Sequence, residues 1–592
     1  MYNYGLVGNC QTAALINQTG SVDWLCMPRP DSPPIFGRML DPDGGYFSIE
    51  LVGKGVTSQQ AYLPNTNVLT TLVKDEDGNE FRITDFCPRF SQHGRMYRPI
   101  SLFRIVEPTK GSPIIQVKCR PVNGWEKEPV KPVRGNSHLR YEVRGESLRL
   151  ISNMSLTHLS EEAPTLLKEP FYFGLTWSVG VEDDLVKVTN LFLEQTVDYW
   201  KKWVKHCSIP TLYQRETIRS ALTLKLHCYE DTGAILAALT TSLPEESGQT
   251  RNWDYRYCWL RDAYFVLSAL HNLGHFEEME EFLSFLLNIA ERQEHSRERL
   301  APVYRLDQTL PLPEIEHHNW KGWEGSVPVR SGNQAAEHVQ NDVYGEMVLT
   351  LAPIFLDQRF HHLRTKEHED LLAHLVKLCV RNISQPDAGL WELRNGWQEH
   401  SFSNLLCWAG IERIERIQKL GFLKNLDIDL AQAKANAEKA IQAAVRDGSL
   451  RNGPNDESWD AALLQVAVLR YPDKELCSET VKKIANELRL DDGEFGKGFL
   501  YRYLRNDDFG HPQSAFLICS FWLVQALART GQPEQAAEAM KAAVRSGNSL
   551  GLFAEHYIPG KHQQVGNFPQ AYSHVGLINA AFAISPPWSE VL

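Results

Sequence analysis

The chain has 592 residues, of which 43% are hydrophobic and 23% are charged, and its formal net charge is −12 at pH 7. This composition is typical of a globular protein, and the length predicts two or more domains. The acidic balance argues against nucleic acid or an anionic membrane as the main partner, because both would repel the average surface.

Cysteine usage argues against disulfides and against a zinc site. The eleven cysteines are scattered singly, with no CxxC pair and no Cys/His spacing typical of metal binding. The first residues lack the basic and apolar regions of a signal peptide, and no apolar stretch reaches membrane-spanning length. We therefore expect a cytoplasmic protein with reduced thiols and no membrane partner.

Residues 1–185 have the pattern of many short strands. The runs 12–16 and 20–25 predict a hairpin around the turn Asn17–Gly20. Further β-branched runs occur at 68–73, 100–106 and 114–118. Strands of this length and spacing predict an antiparallel β-sandwich.

The hydrophobic period then changes from that of strands to that of helices. The segment 186–205 predicts an amphipathic helix with Leu191 and Trp200 among its apolar positions. We interpret 186–210 as a helical linker between two domains. About a dozen helical candidates follow it. Examples are 214–229, 261–273, 276–292, 336–355, 402–419, 428–446, 513–530, 533–545 and 569–583.

The predicted second domain, residues 211–592, is all-α, with strand-like runs nearly absent. Paired helices over this length indicate a bundle, a helical solenoid or a closed α/α toroid. A repeat of about 34 or 40 residues, which a solenoid would show, is not visible. Periodicity alone does not separate the bundle from the toroid.

Two glycine-led segments each place one glutamate near an aromatic side chain. Gly389–Arg394 contains Glu392 beside Trp391. Gly551–Tyr557 contains Glu555. Two carboxylates from separate loops are the minimum for hydrolysing a glycosidic bond, because one protonates the leaving oxygen while the other activates water. The chain has 73 acidic residues, so the pair gains its weight from the segments around it.

Several loops of the helical half combine aromatic rings with hydrogen-bonding groups, as sugar sites do. In Arg251–Asp262, six of the twelve residues are Arg, Asn or Asp and four are Trp or Tyr. Arg261 and Asp262 could hold vicinal sugar hydroxyls, one donating and the other accepting. The alternative is a buried ion-pair cluster at a helix N-terminus, with Asp262 as a first-turn acid.

Two more segments of this kind carry candidate sugar-binding residues. One contains Gln340 and Asp342, and the alternative role of Asp342 is helix capping. Gly498–Tyr503 contains Arg502, and its alternative is a solvated arginine between core aromatics. In an α/α toroid such loops would meet at one mouth.

Together these segments resemble glycoside hydrolase family 15, the glucoamylase-type enzymes that include bacterial trehalases and glucodextranases. The resemblance extends over nearly the whole chain, in long and ordered motifs. The matching segments are 4–15, 23–29, 251–262, 389–394, 554–557 and 566–574. The resemblance implies a β-sandwich followed by an (α/α)6 barrel, and an inverting mechanism at the non-reducing end of α-glucosides.

The resemblance also implies roles for individual residues. Glu392 would be the general acid and Glu555 the general base. Arg261 and Asp262 would bind the terminal glucose, and Trp391 would lie beside it. Three further residues would lie near the sugar, namely Gln340, Asp342 and Arg502. We expect Glu392 to stay protonated in apolar, aromatic and carboxylate-rich surroundings. The chemistry needs no metal or organic cofactor, and the expected partner is an oligosaccharide or disaccharide, with a homo-oligomer left open.

One segment departs from the family pattern. Bacterial relatives commonly have Thr-His-Ser-Lys after the acid, whereas this chain has Ser401–Asn404. Asn404 in place of a cation and Phe402 in place of an imidazole remove two contacts near the acid. The departure bears on the leaving-group preference.

Three functional hypotheses follow. The first is an exo-acting, glucoamylase-like hydrolase that releases β-glucose from α-glucan oligosaccharides. The second is a trehalase, which uses the same chemistry with a different leaving sugar. The third is a carbohydrate-sensing regulatory protein without catalysis, against which the presence of both Glu392 and Glu555 argues.

Overall fold

The computed structural model describes residues 1–181, 184–292, 299–490, 493 and 496–592. The first part of the chain is a β-sandwich. Its strands are β1 Tyr4–Gly8, β2 Ala13–Asn17, β3 Val22–Cys26, β4 Pro34–Phe36, β5 Tyr46–Leu51, β6 Thr57–Tyr62, β7 Leu69–Lys74, β8 Glu80–Phe86, β9 Phe90–Gln92, β10 Arg95–Tyr97, β11 Ser101–Lys110, β12 Ile114–Arg120, β13 Val133–Arg134, β14 His138–Val143, β15 Glu146–Ser152, β16 Thr165–Leu166 and β17 Phe171–Trp177.

Two antiparallel sheets face each other across an apolar core. One has the order β1-β2-β3-β5-β12-β16, with β4 paired to β3, and the other has the order β13-β14-β15-β17-β11-β8-β7-β6. Phe47 of the first sheet and Phe173 of the second meet between them, with ring centroids 6.1 Å apart. This arrangement confirms the predicted antiparallel sandwich.

The predicted hairpin between β2 and β3 forms because its turn satisfies its own backbone. The Asn17 side-chain oxygen accepts hydrogen bonds from the backbone N–H groups of Thr19 and Ser21. Gly20 takes a left-handed conformation with φ of +85°, which costs glycine little. The register that follows pairs Leu15 with Trp24.

The second part of the chain is helical. The helices of the described residues are α1 Leu156–Ser160, α2 Leu185–Lys205, α3 Gln214–His227, α4 Leu260–Leu273, α5 Glu277–Arg292, α6 Asp342–Leu356, α7 Lys366–Asn382, α8 Ser401–Lys419, α9 Leu430–Ala443, α10 Gln465–Val468, α11 Lys474–Glu487, α12 Leu517–Arg529, α13 Pro533–Val544, α14 Ala571–Ile584 and α15 Trp588–Val591. None of them is both long and apolar enough to cross a bilayer.

The helices from α3 to α14 form two concentric rings. The inner ring is α4, α6, α8, α10 with its preceding 3-10 turn, α12 and α14, and α14 returns to contact α4. The outer helices α3, α5, α7, α9, α11 and α13 pack against this ring. Inner helices are buried almost all round; in α12 every residue from Leu517 to Leu527 is buried. The closed ring confirms the (α/α)6 toroid, which periodicity alone had left open.

Two details of the predicted helices are wrong. The candidate 336–355 begins only at Asp342, because Gln334–Glu337 forms a separate 3-10 turn capped by Asn333. Leu191, predicted on the apolar face of α2, is 46% exposed, while Trp200 is fully buried. Short strand pairs also occur among the helices, too short for sequence periodicity to reveal.

Direct contacts join the sandwich to loops of the barrel. The Trp24 indole donates a hydrogen bond to the Leu239 carbonyl at 2.8 Å. The guanidinium of Arg256 donates to the Ser32 carbonyl at 2.7 Å. The sandwich therefore supports the loops that precede α4. The domain boundaries at residues 185 and 210 stay a prediction.

Candidate active site

A pocket opens where the inner helices begin, with about 840 Å³ of empty space that includes open solvent at its mouth. Its wall is formed by the loops that precede the inner helices. Six of the predicted site residues line it together, namely Arg261, Asp262, Trp391, Glu392, Arg502 and Glu555. The structure therefore brings the two glutamates of separate loops to one cavity.

Gln340 and Asp342 lie behind this wall. The Gln340 side chain accepts a hydrogen bond from Arg261 and donates one to Glu392 at 3.3 Å. Asp342 is fully buried, and its carboxylate lies 3.8 Å from the Arg261 guanidinium. Both residues therefore reach the pocket through Arg261, and neither belongs to the described lining.

Glu392 is held by a strained turn and by three donors. Its φ of +62° is uncommon for a residue with a side chain and typical of functional sites. The carboxyl oxygen Oε1 accepts from the Trp259 indole at 2.6 Å, from Arg261 at 3.1 Å and from Gln340 at 3.3 Å. One oxygen is thus saturated with donors. These surroundings are more polar than the apolar and aromatic setting expected from the sequence.

The turn before Glu392 is fixed by Asp387. Its carboxylate accepts from the backbone N–H of Asn341 at 2.6 Å and of Gly389 at 3.1 Å, and from the Ser403 hydroxyl at 2.8 Å. Burial raises the pKa of Asp387 to about 7. Ser403, in the segment that departs from the family pattern, therefore supports the Glu392 loop from outside the pocket.

Arg261 is a buried cation shared by several carboxylates. It donates to the Tyr572 hydroxyl at 3.0 Å and lies 3.9 Å from Asp262. Burial raises the pKa of Asp262 to about 7, with Arg261 opposing the shift and Glu392 and Glu555 adding to it. Because Asp262 and Asp342 share the charge of Arg261, this cation does not belong to Glu392 alone.

A further buried carboxyl, that of Glu346, lies one helical turn after Asp342 in α6. Glu346 is fully buried, and neither its oxygens nor those of Asp342 have a hydrogen-bond partner in the described structure. Burial and the neighbouring Asp342 raise the pKa of Glu346 well above its usual range. The floor of the site is therefore rich in buried carboxyl groups with raised pKa values.

Glu555 is buried at the start of a short hairpin formed by His556–Ile558 and Gln563–Val565. Its oxygen Oε2 accepts from the backbone N–H of Asn567 at 3.3 Å. Gly566 passes so close that a Cβ there would lie 2.7 Å from the same oxygen. The imidazole Nε2 of His556 lies 3.6 Å from Oε1. Backbone and imidazole therefore surround this carboxylate on two sides.

Arg502 belongs to an ion-pair network that the sequence did not reveal. It donates to Glu245 at 2.9 Å and lies 3.6 Å from Asp507. Arg251 bonds Asp507 at 2.5 Å. Arg502 is thus paired and buried, not solvated. Asp507 could have been found from its neighbour Phe509, which repeats the polar-aromatic pattern, whereas no local signal marks Glu245.

Trp391 is fixed in orientation by a buried aspartate. Its indole nitrogen donates to both oxygens of Asp460 at 2.9 Å. Asp460 also caps the turn that leads into α10 and pairs with Arg505 at 3.1 Å. The tryptophan ring therefore presents one fixed face at the pocket wall.

Part of the segment 251–262 fits the alternative interpretation. Arg256 and Asp254 form a fully buried ion pair at 2.6 Å that faces the sandwich.

The segment Ser401–Asn404, which departs from the family pattern, lies away from the pocket. Phe402 and Asn404 are buried, and the Asn404 side chain accepts a hydrogen bond from the backbone N–H of Ser384. Neither of these two belongs to the described pocket lining.

Comparisons with known proteins agree with this architecture. A family model described as trehalase-like, N-terminal, matches residues 2–153. A trehalase of Mycolicibacterium smegmatis is 31% identical over 617 residues, covering 98% of this chain and 90% of the relative. A trehalase of Thermoplasma volcanium is 29% identical, covering 98% of this chain and 92% of the relative.

The fold also matches a solved structure. The crystal structure of a bacterial glucoamylase complexed with acarbose has a TM-score of 0.68 at 14% identity, and the match covers 98% of this chain and 94% of that one. At this identity the match concerns the fold alone. The model described as glycosyl hydrolases family 15 matches residues 212–582, the whole helical barrel. The chain therefore belongs to glycosyl hydrolases family 15.

Proposed function

We propose that this chain hydrolyses trehalose with inversion of configuration. The observation that carries the proposal is the end-to-end similarity to relatives named trehalase, from 31% identity downward. It favours the second functional hypothesis over the first, hydrolysis of α-glucan oligosaccharides. The pocket containing Glu392 and Glu555 supports a catalytic role over a sensing one.

Glu392 acts as the general acid. Three donors converge on Oε1, which leaves Oε2 to carry the proton that passes to the glycosidic oxygen. Arg261 also lies near Asp262 and Asp342. The guanidinium therefore holds Glu392 in place, but its charge is shared among three carboxyl groups. Protonation of the leaving oxygen lowers the barrier to bond cleavage.

Glu555 acts as the general base. It removes a proton from water, which attacks the anomeric carbon on the face opposite the leaving sugar. The backbone N–H of Asn567 fixes the carboxylate. Arg261 and Asp262 hold hydroxyls of the glucose under attack. In trehalose the attacked glucose is released as the β-anomer, while the leaving glucose keeps its α-configuration.

The outer side of the pocket suits a disaccharide. The segment Asp507–Phe509 lines the pocket and bridges the loop of Glu392 and the loop of Trp253. Asp508 accepts from the backbone N–H of Arg394 at 2.7 Å, and the Phe509 ring contacts Trp253 with centroids 5.4 Å apart. In the proposed mode of binding, the leaving sugar lies on this side of the pocket, and the bridge limits the space beyond it, which favours a short substrate over a polymer.

Relative specificity tests the proposal. The purified protein is assayed for glucose release from trehalose, maltotriose and isomaltose, and kcat/KM is compared. We expect kcat/KM for trehalose to exceed that for the other two sugars by at least about tenfold. A sugar that leaves polar groups of the site unpaired is hydrolysed less efficiently. Preference for maltotriose would return the glucoamylase-like hypothesis to first place. Tight binding of all three without glucose release would favour the sensing protein.

A further inference from the structure

Three ligand-type atoms converge at the inner edge of the pocket. Glu245, Glu555 and His556 each present one atom, and these atoms lie within 4.8 Å of one another. His556 Nε2 is 3.6 Å from Glu555 and 3.8 Å from Glu245. These distances are too long for hydrogen bonds. Two ligands about 2.1 Å from one tetrahedral ion lie about 3.4 Å apart, close to this spacing.

The His556 imidazole is oriented as a metal ligand would be. Its Nδ1 lies 3.1 Å from the Ser514 hydroxyl, which itself donates to the Glu245 carbonyl at 3.3 Å. When the hydroxyl hydrogen points to that carbonyl, the hydroxyl oxygen accepts from Nδ1–H, and a neutral ring then has its lone pair on Nε2. Metal-binding histidines are held by the same kind of contact at their other nitrogen.

That nitrogen has no hydrogen-bond partner, although His556 is fully buried. A buried polar atom without a partner is costly. It is directed at two carboxylates that line an open pocket, through which an ion can enter. The arrangement therefore has an unfilled acceptor and an entry path.

The charges around the cluster leave it negative. Glu245 bonds Arg502 at 2.9 Å, and Arg251 lies 3.8 Å from its other oxygen. Both arginines also contact Asp507. Three carboxylates against two guanidinium groups give a net charge of −1 with a neutral imidazole.

We propose that Glu245, Glu555 and His556 form an inhibitory site for a zinc-type divalent cation. One imidazole and two carboxylates are ligands that Zn²⁺ accepts. An ion bound there occupies the carboxylate that would take the proton from water, and binding competes with catalysis. The inhibitory effect rests on the proposed function of Glu555, whereas ion binding does not.

Direct binding tests the site without an assay of activity. Protein freed of metal by chelation is titrated with Zn²⁺ by calorimetry, and with Co²⁺ to record the visible absorption of a tetrahedral complex. His556→Asn keeps a donor toward Ser514 and removes the Nε2 ligand. The matched control is His318→Asn, which removes an exposed histidine 3.5 Å from Glu316.

We expect one Zn²⁺ per chain, with binding at least tenfold weaker in His556→Asn and unchanged in His318→Asn. If His556→Asn does not fold, Glu245→Gln decides by the same comparison. Absence of stoichiometric binding, or equal binding by all variants, would overturn the site. In the wild type Zn²⁺ should also raise the apparent KM for trehalose. Stoichiometric binding without any trehalose hydrolysis would support the site and count against the proposed function alone.

Discussion

The loop that carries Glu392 and the hairpin that carries Glu555 give their carboxyl groups different exposure and different hydrogen-bond donors. The Glu392 side chain is 19% exposed, takes a left-handed backbone and has three side-chain donors on one oxygen. The Glu555 side chain is 3% exposed and is held by the backbone of Asn567 beside His556. Two similar residues are thus prepared for different tasks. In the proposed mechanism, Glu392 keeps one oxygen toward the leaving group and Glu555 is fixed for water.

The largest expected effect separates these two roles. Glu392→Gln and Glu555→Gln should each lower kcat on trehalose by about 10²–10⁴-fold, the range of general acid–base catalysis. With α-glucosyl fluoride, whose leaving group needs no protonation, Glu392→Gln should recover most of its activity and Glu555→Gln should not. Steady-state kinetics measure both effects. Equal recovery of the two variants would contradict the assignment, and thermal unfolding serves as the folding control.

A second prediction concerns the fixed position of Glu555. Gly566→Ala places a Cβ 2.7 Å from Glu555 Oε2, and we expect kcat to fall by about tenfold or more, as small displacements of reacting groups do. Gly531→Ala is the matched control, since its φ of +76° is close to the +79° of Gly566 and its Cβ meets nothing within 4 Å.

Both glycine variants should lose stability through the left-handed backbone, by about 1–2 kcal/mol. Only Gly566→Ala should lose kcat. Similar kinetics in the two variants would show that the position of Glu555 tolerates displacement, and would weaken the contrast between the two regions.

A third prediction uses the raised pKa of Asp262. Burial raises the pKa of this carboxyl in the folded chain to about 7, against an ordinary value of 3.8. Between these values the folded state holds a proton that the unfolded state has lost, so stability falls as pH rises from about 4 to 7, by at most about 1.4 kcal/mol per pH unit. Asp262→Asn should remove the contribution of Asp262 and leave that of other buried carboxyls such as Asp387.

The measurement is the midpoint of thermal unfolding between pH 4.5 and 7.5. The wild-type midpoint should fall relative to that of Asp262→Asn as pH rises. Asp370→Asn, which breaks only an exposed pair with Lys366, is the control and should follow the wild type. Parallel curves for Asp262→Asn and wild type would place the proton elsewhere on the carboxyl-rich side of the pocket.

The smallest expected effect tests the bridge over the pocket. Asp508→Ala removes the hydrogen bond to the Arg394 backbone, a contact worth about 0.5–1.5 kcal/mol. We expect a two- to tenfold rise in KM for trehalose and a gain in relative rate on maltotriose. Asp427→Ala, at an exposed loop aspartate, should change neither. If the ratio of the rates on maltotriose and trehalose did not change, the bridge would not contribute to specificity.

The sequence predicted the sandwich and the helices because their signals are local. Alternation and turn residues mark the hairpin of β2 and β3, and amphipathic periods mark helices such as α5 and α9. The ring closure between α14 and α4 has no local signal, because buried inner helices are apolar all round, as α12 is. The toroid came from the family resemblance, and the structure confirms it.

The candidate site was only partly accessible from sequence. Polar-aromatic clustering found Arg261, Trp391 and Glu392, which line the pocket. It did not find Glu245, whose importance comes from Arg502, far away in the chain. It also did not separate Asp254, which faces the sandwich, from Asp262, which faces the pocket. Long-range pairing and side-chain direction are tertiary properties, so neither follows from composition.

The central claim is that Glu392 and Glu555 act as an inverting pair on trehalose. A proton NMR time course of trehalose hydrolysis, read before mutarotation, tests it most directly. Inversion predicts equal initial amounts of β-glucose from the attacked sugar and α-glucose from the leaving sugar. Initial release of α-glucose alone would show retention and contradict the account.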